Sequence, residues 1–345
     1  SIKNLALEQY QNVGSSLINE LKNIIITVLS AKLVIDGSIT LGMMLAISYI
    51  VGQLNSPIQQ FINFVRQLQD ARISLERLGE IHNKKDEDVL DGNTVRQVDT
   101  SANFQLNNVS FRYIGNQELV LKNLNLLIPA NKTTAIVGSS GSGKTTLMKL
   151  LLKFYEPIEG TISLGAHNLK AVSNKVWRSH CGVVMQEGYI FNDTIAGNIA
   201  IGHDHIDLKR LEHAAHMANI KPFIDSLPLG FNTKIGAEGS GISTGQKQRL
   251  FIARAIYKNP EFLFFDEATS ALDANNEKII MENLNEFFKG KTAVVIAHRL
   301  STVKNADQIL VLEKGKIIEK GTHKELVDLK GSYYHLVKNQ LELGN

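Results

Sequence analysis

Residues 138–146 read GSSGSGKTT, directly behind the apolar stretch TTAIV at 133–137 and ahead of LMKLLLKFY at 147–155. The stretch fits the pattern G-x-x-x-x-G-K-[ST] through Gly138, Gly143, Lys144 and Thr145. Glycines let such a loop bend back until its backbone N–H groups point at phosphate oxygens, and the lysine reaches the β- and γ-phosphates. Thr145 offers its hydroxyl to Mg2+. The flanking sequence reads as a buried strand running into the loop and a helix leaving it, which is the context the pattern requires. Taken alone, the loop marks a nucleotide binder and little more.

Working outward, FQLNNVSFRY at 104–113 alternates apolar and polar residues and reads as a strand closed by Tyr113, with a second strand around Leu124–Ile128. EFLFFD at 261–266 is a further buried strand ending in Asp266, placed to hold Mg2+, and Glu267 next to it is the candidate to polarise an attacking water. Simple strand capping is the alternative for this carboxylate pair. KTAVVIAHR at 291–299 is another buried strand, carrying His298 to its end, and DQILVLEKGKIIEKGT at 307–322 reads as a hairpin with a Lys-Gly turn. Gln186 to Ser243 is rich in helical sequence.

The 345 residues suffice for two domains, and the apolar residues are unevenly spread: Gly37 to Val65 contains no charged residue. Ile24–Ile35 forms an apolar run broken only by Thr27, Ser30 and Lys32; Asp36-Gly37-Ser38 is a turn; LGMMLAISYIVGQL then runs from Leu41 past Pro57 to FINFV. A bilayer core takes about 20 predominantly apolar helical residues. The second segment meets this, and the first does so only if extended back through Leu17 and Ile18. Lys3 lies before the pair and Arg66, Arg72, Arg77, Lys84 and Lys85 after it, which suits a membrane hairpin with both ends in the cytoplasm. Two buried helices of a large soluble protein are the alternative. Residues 83–101 are polar and read as a linker.

A net charge of +3, with no aromatic-rich basic patch, gives no support to nucleic acid as a partner. The one cysteine, Cys181, excludes an internal disulfide, fits a reducing compartment and reads as a small core residue. His203 and His205 lack further zinc-type partners at the right spacing and read as a solvated loop. The chain opens at Ser1 without methionine in amphipathic sequence, which leads us to expect that it begins partway through a larger protein.

GSSGSGKTT, STGQKQR at 243–249, FLFFDEATSALD at 262–273 and VIAHRLST, in this order, resemble the nucleotide-binding domain of ABC exporters from about Phe104 to the C-terminus. The resemblance implies an α/β P-loop NTPase cassette with a RecA-like core, an antiparallel β subdomain and a helical subdomain over residues 102–345. An all-α transmembrane hairpin over 1–82 precedes it, similar to the last two helices of a six-helix exporter half. It implies ATP and Mg2+ as cofactors. Tyr113 would stack on adenine, and Gly138, Ser139, Ser140, Gly141, Ser142, Gly143, Lys144, Thr145 and Thr146 would hold the phosphates. Thr145, Gln186 and Asp266 would contact the metal. Glu267 would act as base, with His298 on the γ-phosphate and Gln186 sensing the nucleotide. Ser243, Gly245 and Gln246 would face the nucleotide of a second half-transporter, which Asp273 in the Ser270–Asp273 loop would touch. Glu238 resembles an acidic residue contacting the partner's coupling helix, a solvated glutamate in a Gly-rich loop being the alternative.

The family usually shows L-S-G-G-Q where Ile242, Ser243, Thr244, Gly245 and Gln246 stand here, and Thr244 would be strained if that position required positive φ. Because Lys144 and Ser243 are both present, the expected partner is a second copy, in a homodimer embedded in membrane lipid, with a heterodimer as the alternative. ALEQYQNVGSSLINELKN, IDGSITLGMMLAISYIVGQLNSPIQQFI and ARISLERLGEI look most like bacterial exporters of peptides and bacteriocins that carry a cysteine-protease domain. The implied function is therefore ATP-driven peptide export across the bacterial cytoplasmic membrane. A lipid or multidrug exporter is the alternative branch, and a soluble ABC ATPase of another kind is the alternative class.

Overall fold

A computed structural model describes residues 2–82, 95–186, 188–203, 205–236, 241–269, 272–297 and 303–342 of the chain. The chain divides into two units, Ser1–Asp86 and Glu87–Asn345.

The first unit is a pair of long helices, α1 (Ile2–Ile35) and α2 (Leu41–His82). At the Asp36–Ser38 turn, Gly37 adopts φ 74 and the N–H groups of Asp36, Gly37 and Ser38 bond back to Lys32, Val34 and Leu33. Thr40 Oγ1 then accepts from the Met43 N–H at 3.3 Å and starts α2. Lys22 Nζ donates to Asn55 Oδ1 across the pair at 2.5 Å. Large apolar side chains such as Ile24, Leu29, Leu45, Ile50 and Phe61 are exposed on the chain. Only the stretch Leu41–Glu80 of the described helices is long and apolar enough to cross a membrane, whereas sequence reading sought two such stretches. Glu20, Lys22 and Lys32 with Asn19 and Asn23 dilute α1.

The second unit holds, in chain order, β1 (Phe104–Phe111), β2 (Leu121–Ile128), β3 (Thr133–Val137), α3 (Lys144–Leu151), β4 (Glu159–Leu164), β5 (His167–Asn168), α4 (Asn174–His180) and β6 (Cys181–Val184). There follow β7 (Asp193–Thr194), α5 (Ile195–Ile199), α6 (Leu208–Met217), α7 (Lys221–Asp225), β8 (Lys234–Ile235), α8 (Thr244–Lys258), β9 (Phe262–Asp266) and α9 (Ala274–Phe288). The chain continues through β10 (Thr292–Ile296), β11 (Gln308–Glu313), β12 (Lys316–Gly321), α10 (His323–Leu329) and α11 (Ser332–Glu342). Six strands form one sheet in the order β12-β11-β3-β10-β9-β6, parallel except for β12, while β2-β1-β4-β5 form a separate antiparallel sheet.

The parallel strands are apolar on both faces because both faces are covered. Phe262 and Phe264 of β9, Ile136 of β3 and Val294 of β10 pack with α3, with Trp177 of α4 and with the antiparallel sheet. Leu263, Phe265, Val137 and Val295 point the other way, into a core shared with α5, α6, α8 and α9. Trp177 sits among Phe104, Phe262 and Phe264 in edge-on and tilted contacts, and its Nε1 donates to the Leu151 carbonyl at 3.0 Å. Cys181 is buried at the start of β6.

The chain departs from the expected elements in three places. β1 ends at Phe111, so Tyr113 stands two residues beyond it. α3 ends at Leu151, and Lys153 turns to φ 59 behind it, where the sequence read as helix through Tyr155. The segment read as linker is bound to the cassette from Val95 onward: the Val95 N–H donates to Ala171, Ser173 N–H donates to Val95, and Ala102 is buried. Two valines, Val95 and Val98, suffice to anchor it.

Phe264 is fully buried between sheet and Trp177 whereas Ile114 is fully exposed. Phe264→Ala is therefore expected to lower unfolding free energy by about 3–5 kcal/mol, and Ile114→Ser to change it by less than about 0.5 kcal/mol, in denaturant titration.

Candidate functional site

Five parallel strands bring their C-terminal ends to one edge of the six-stranded sheet, delivering Val137, Val184, Asp266, Ile296 and Glu313 there. Open α/β sheets bind ligands along that edge. The glycine loop leaves β3 at Gly138, whose φ is +152 and where a Cβ would stand 2.1 Å from the Leu312 carbonyl oxygen. Gly143, at φ +105, would place a Cβ 2.7 Å from Leu121 Cδ2. Both positions exclude a side chain on two counts, conformation and space. Ser139, Ser140 and Gly141 at the loop tip are exposed, while Ser142 is buried and its Oγ has no hydrogen-bond partner among the described residues.

Lys144 opens α3 and folds back across the loop, its Nζ donating to the carbonyls of Gly138 and Ser139 at 2.9 Å each. Burial pulls its ammonium below the ordinary lysine value, and the charges of Glu267 and Asp266 push it back up. Thr145 Oγ1 donates to Asp266 Oδ2 at 2.9 Å. Asp266 is buried, and its second oxygen, Oδ1, has no partner among the described residues. Burial raises the Asp266 carboxyl above the usual carboxylate range, and the Thr145 hydrogen bond opposes that rise. A buried carboxylate oxygen with spare coordination, beside a hydroxyl and a phosphate loop, is a hard-oxygen donor set that fits Mg2+.

Glu267 follows β9 in the left-handed region at φ 50. Its N–H donates to the Ile296 carbonyl at 3.1 Å, and its own carbonyl accepts from Gln248 Nε2 at 3.1 Å. Gln186 is exposed two residues beyond β6, the neighbour of β9. His298 lies outside the described residues, one position past Ala297, as do Asp204, Glu238, Ser270 and Ala271.

Tyr113 is half-buried, and its hydroxyl shares a 3.0 Å hydrogen bond with Thr146 Oγ1 on α3. Phe111 and Tyr155 stand edge-on to its ring at 5.1 and 5.3 Å between centroids. The three rings and Ile158 line one groove. Tyr155 and Phe111 were not singled out from the sequence, because an aromatic cluster assembled from β1 and the segment after α3 has no local signature.

Ser243 caps α8: its Oγ accepts from the Gln246 N–H at 3.2 Å while Gln246 Oε1 accepts from the Ser243 N–H at 2.8 Å. Thr244 and Gly245 form the first turn, and Thr244 is not among the residues at positive φ, so the feared strain does not arise. Asp273 caps α9 by accepting from the Asn276 N–H at 3.0 Å.

Residues 121–270 match the family described as ABC transporter. Over 322 residues, 93% of this chain and 45% of the relative, the sequence is 41% identical to the alpha-hemolysin translocation ATP-binding protein of Proteus vulgaris. It is 40% identical over 95% of its length, and 46% of the relative's, to the toxin RTX-I translocation ATP-binding protein of Actinobacillus pleuropneumoniae. Identity is 39% to the leukotoxin export ATP-binding protein of Aggregatibacter actinomycetemcomitans, covering 99% of this chain and 48% of that one. The chain spans about half the length of the curated relatives it matches. Among solved structures, a bacterial Atm1-family ABC exporter with ATP bound superposes at a TM-score of 0.72 with 33% identity, over 94% of this chain and 57% of that one.

The raised carboxyl of Asp266 gives a pH signature. Above the ordinary carboxylate value the unfolded chain gives up this proton first, so the site loses stability as pH rises through the raised native value. Asp266→Asn, which cannot ionise, is expected to gain thermal stability relative to the parent chain as pH rises from 4 to about 7 in ligand-free protein. Melting curves of the two across that range check it.

Proposed function

We propose that this chain belongs to the ABC transporter family, whose model its residues 121–270 match, and that it is part of one half of a membrane exporter driven by ATP. One observation carries this reading. Lys144 lies across a glycine loop beside a Thr145–Asp266 pair whose buried carboxylate keeps an oxygen without a partner among the described residues. Lys144 exchanges its two carbonyl partners for the β- and γ-phosphates of ATP, gaining charge-assisted bonds in place of neutral ones. Backbone N–H groups of the loop and the first turn of α3 cradle the remaining phosphate oxygens. The Tyr113 ring stacks on adenine. Thr145, Gln186 and Asp266 would hold Mg2+, which when bound neutralises phosphate charge.

Hydrolysis falls to Glu267. Its carboxylate takes a proton from water as the water oxygen bonds to the γ-phosphorus and the bond from that phosphorus to the bridging oxygen of ADP breaks. His298 donates to the γ-phosphate and steadies it. In a homodimer, Ser243 and Gly245 at the start of α8 of one copy face the γ-phosphate held by the other, with Asp273 and its loop touching the twin cassette. ATP then joins the copies, and loss of its γ-phosphate releases them.

The helical pair forms the last two membrane helices, its exposed apolar side chains facing lipid or neighbouring helices, with the cassette in the bacterial cytoplasm. Two helices cannot enclose a passage, so further helices complete it. For cargo we favour a polypeptide, on the ground that relatives covering nearly all of this chain are named for translocation of alpha-hemolysin, RTX-I toxin and leukotoxin. Those names point to protein toxins rather than to the short bacteriocin-like peptides first expected. A carbonate wash that frees the full-length protein from membranes would overturn the transporter reading.

Lys144→Ala is expected to weaken ATP binding by about 10- to 100-fold, the worth of a charged hydrogen-bond donor. Glu267→Gln is expected to keep nucleotide affinity, lower turnover by at least about 100-fold and accumulate an ATP-bound dimer. Fluorescent-nucleotide titration, phosphate release and sizing in detergent read these three effects. A Glu267→Gln variant with parental turnover would remove Glu267 as the base.

A further inference from the structure

Gln248 stands on α8 five residues past Ser243 and is 5% exposed. A buried amide must find partners, and its Nε2 donates to the main-chain carbonyl of Glu267 at 3.1 Å. That carbonyl belongs to a residue at φ 50, a left-handed conformation that is sterically costly for any residue with a Cβ. Backbone of this kind persists only where the surroundings over-determine it. Here the peptide groups on both sides of the Glu267 Cα are held. The N–H is fixed by the Ile296 carbonyl at 3.1 Å, and the C=O by Gln248. The flanking residues Asp266 and Ala268 are themselves buried, so the turn has no room to relax outward. This left-handed turn lets consecutive residues do different things: Asp266 stays buried against Thr145, while Glu267 is half-exposed beside it.

We propose that Gln248 is a positioning residue for the base: by holding the Glu267 carbonyl it fixes the left-handed turn and thereby the direction of the Glu267 carboxylate. The inference rests on the reading of Glu267 as base. One buried side chain thus ties the base of a site to the helix that Ser243 caps. The other tie runs to β10, the strand that leads toward His298. A glutamine is suited to the task because it reaches from the helix to a carbonyl with a neutral donor. A lysine there would bring a charge into a buried position, and a methionine of similar length offers no donor.

The test uses the complete exporter in detergent or lipid nanodiscs. Gln248→Met is expected to lower kcat by about 10-fold or more while KM and affinity for a fluorescent ATP analogue, measured with EDTA present, stay within about twofold. Placed on Glu267→Gln, it should cause no further fall in residual hydrolysis, since a base that is gone cannot be misplaced. If Gln248→Met does not fold, Gln248→Asn, which keeps the amide but falls a methylene short, is expected to give the same split. Parental kcat in the Met variant overturns the proposal. So does an equal loss of kcat and affinity, or an additive loss in the double variant. The two readings fail separately: a turning-over Glu267→Gln removes the base itself, whereas an inactive Glu267→Gln beside a fully active Gln248→Met removes only the role of Gln248.

Discussion

The 2.9 Å hydrogen bond from Thr145 to Asp266 joins residues 121 positions apart, and the candidate nucleotide site is organised around it. It locks the start of α3 to the end of β9, the strand two places from β3 in the sheet. Geometry at this contact fixes where the glycine loop ends, where Lys144 can reach and which carboxylate oxygen is left over. Asp266 keeps a buried oxygen without a partner among the described residues, at a cost that burial makes plain in its raised carboxyl. Buried polar atoms are normally satisfied, and under the proposed function Mg2+ would complete this one.

The rest of the cassette serves to hold that contact in place. The sheet is apolar on both faces, clamped by α3, α4 and the antiparallel sheet on one side and by α8, α9 and the smaller helices on the other. Against this frame, the site residues occupy positions a relaxed chain would avoid. Gly138 lies where a Cβ would meet the Leu312 carbonyl, and Glu267 turns left-handed directly after β9. A well-packed surround supplies the hydrogen bonds that make these conformations persist.

Much of this was legible in the primary sequence, because the informative features are local. The glycine spacing of 138–143, the apolar run closed by Asp266 and Glu267, and the Lys314–Gly315 turn of the last hairpin each declare themselves within a few residues. Other features escaped for the same reason in reverse. Gln248 reads as an ordinary helix residue until its burial and its reach to Glu267 are seen, and Tyr155 joins Tyr113 only when the segment after α3 returns to β1. The polar stretch after residue 83 read as a linker, and two valines within it pack its second half against the cassette. The anticipated strain at Thr244 came from reading φ into a motif; the residue simply begins a capped helix.

The sequence by itself determined the residue types on which the proposed chemistry rests: a glycine loop, an acidic strand end and an apolar stretch from Leu41 to Val65, each encoded by residue type and spacing that need no partner to be recognised. Tertiary structure decided which of those groups meet. The Thr145–Asp266 bond and the spare carboxylate oxygen depend on strands far apart in sequence arriving at one sheet edge, and the grip on Glu267 depends on β10 and α8 both reaching the end of β9. Side-chain contacts across such separations are set by register and packing, and neither is written in any single stretch of residues.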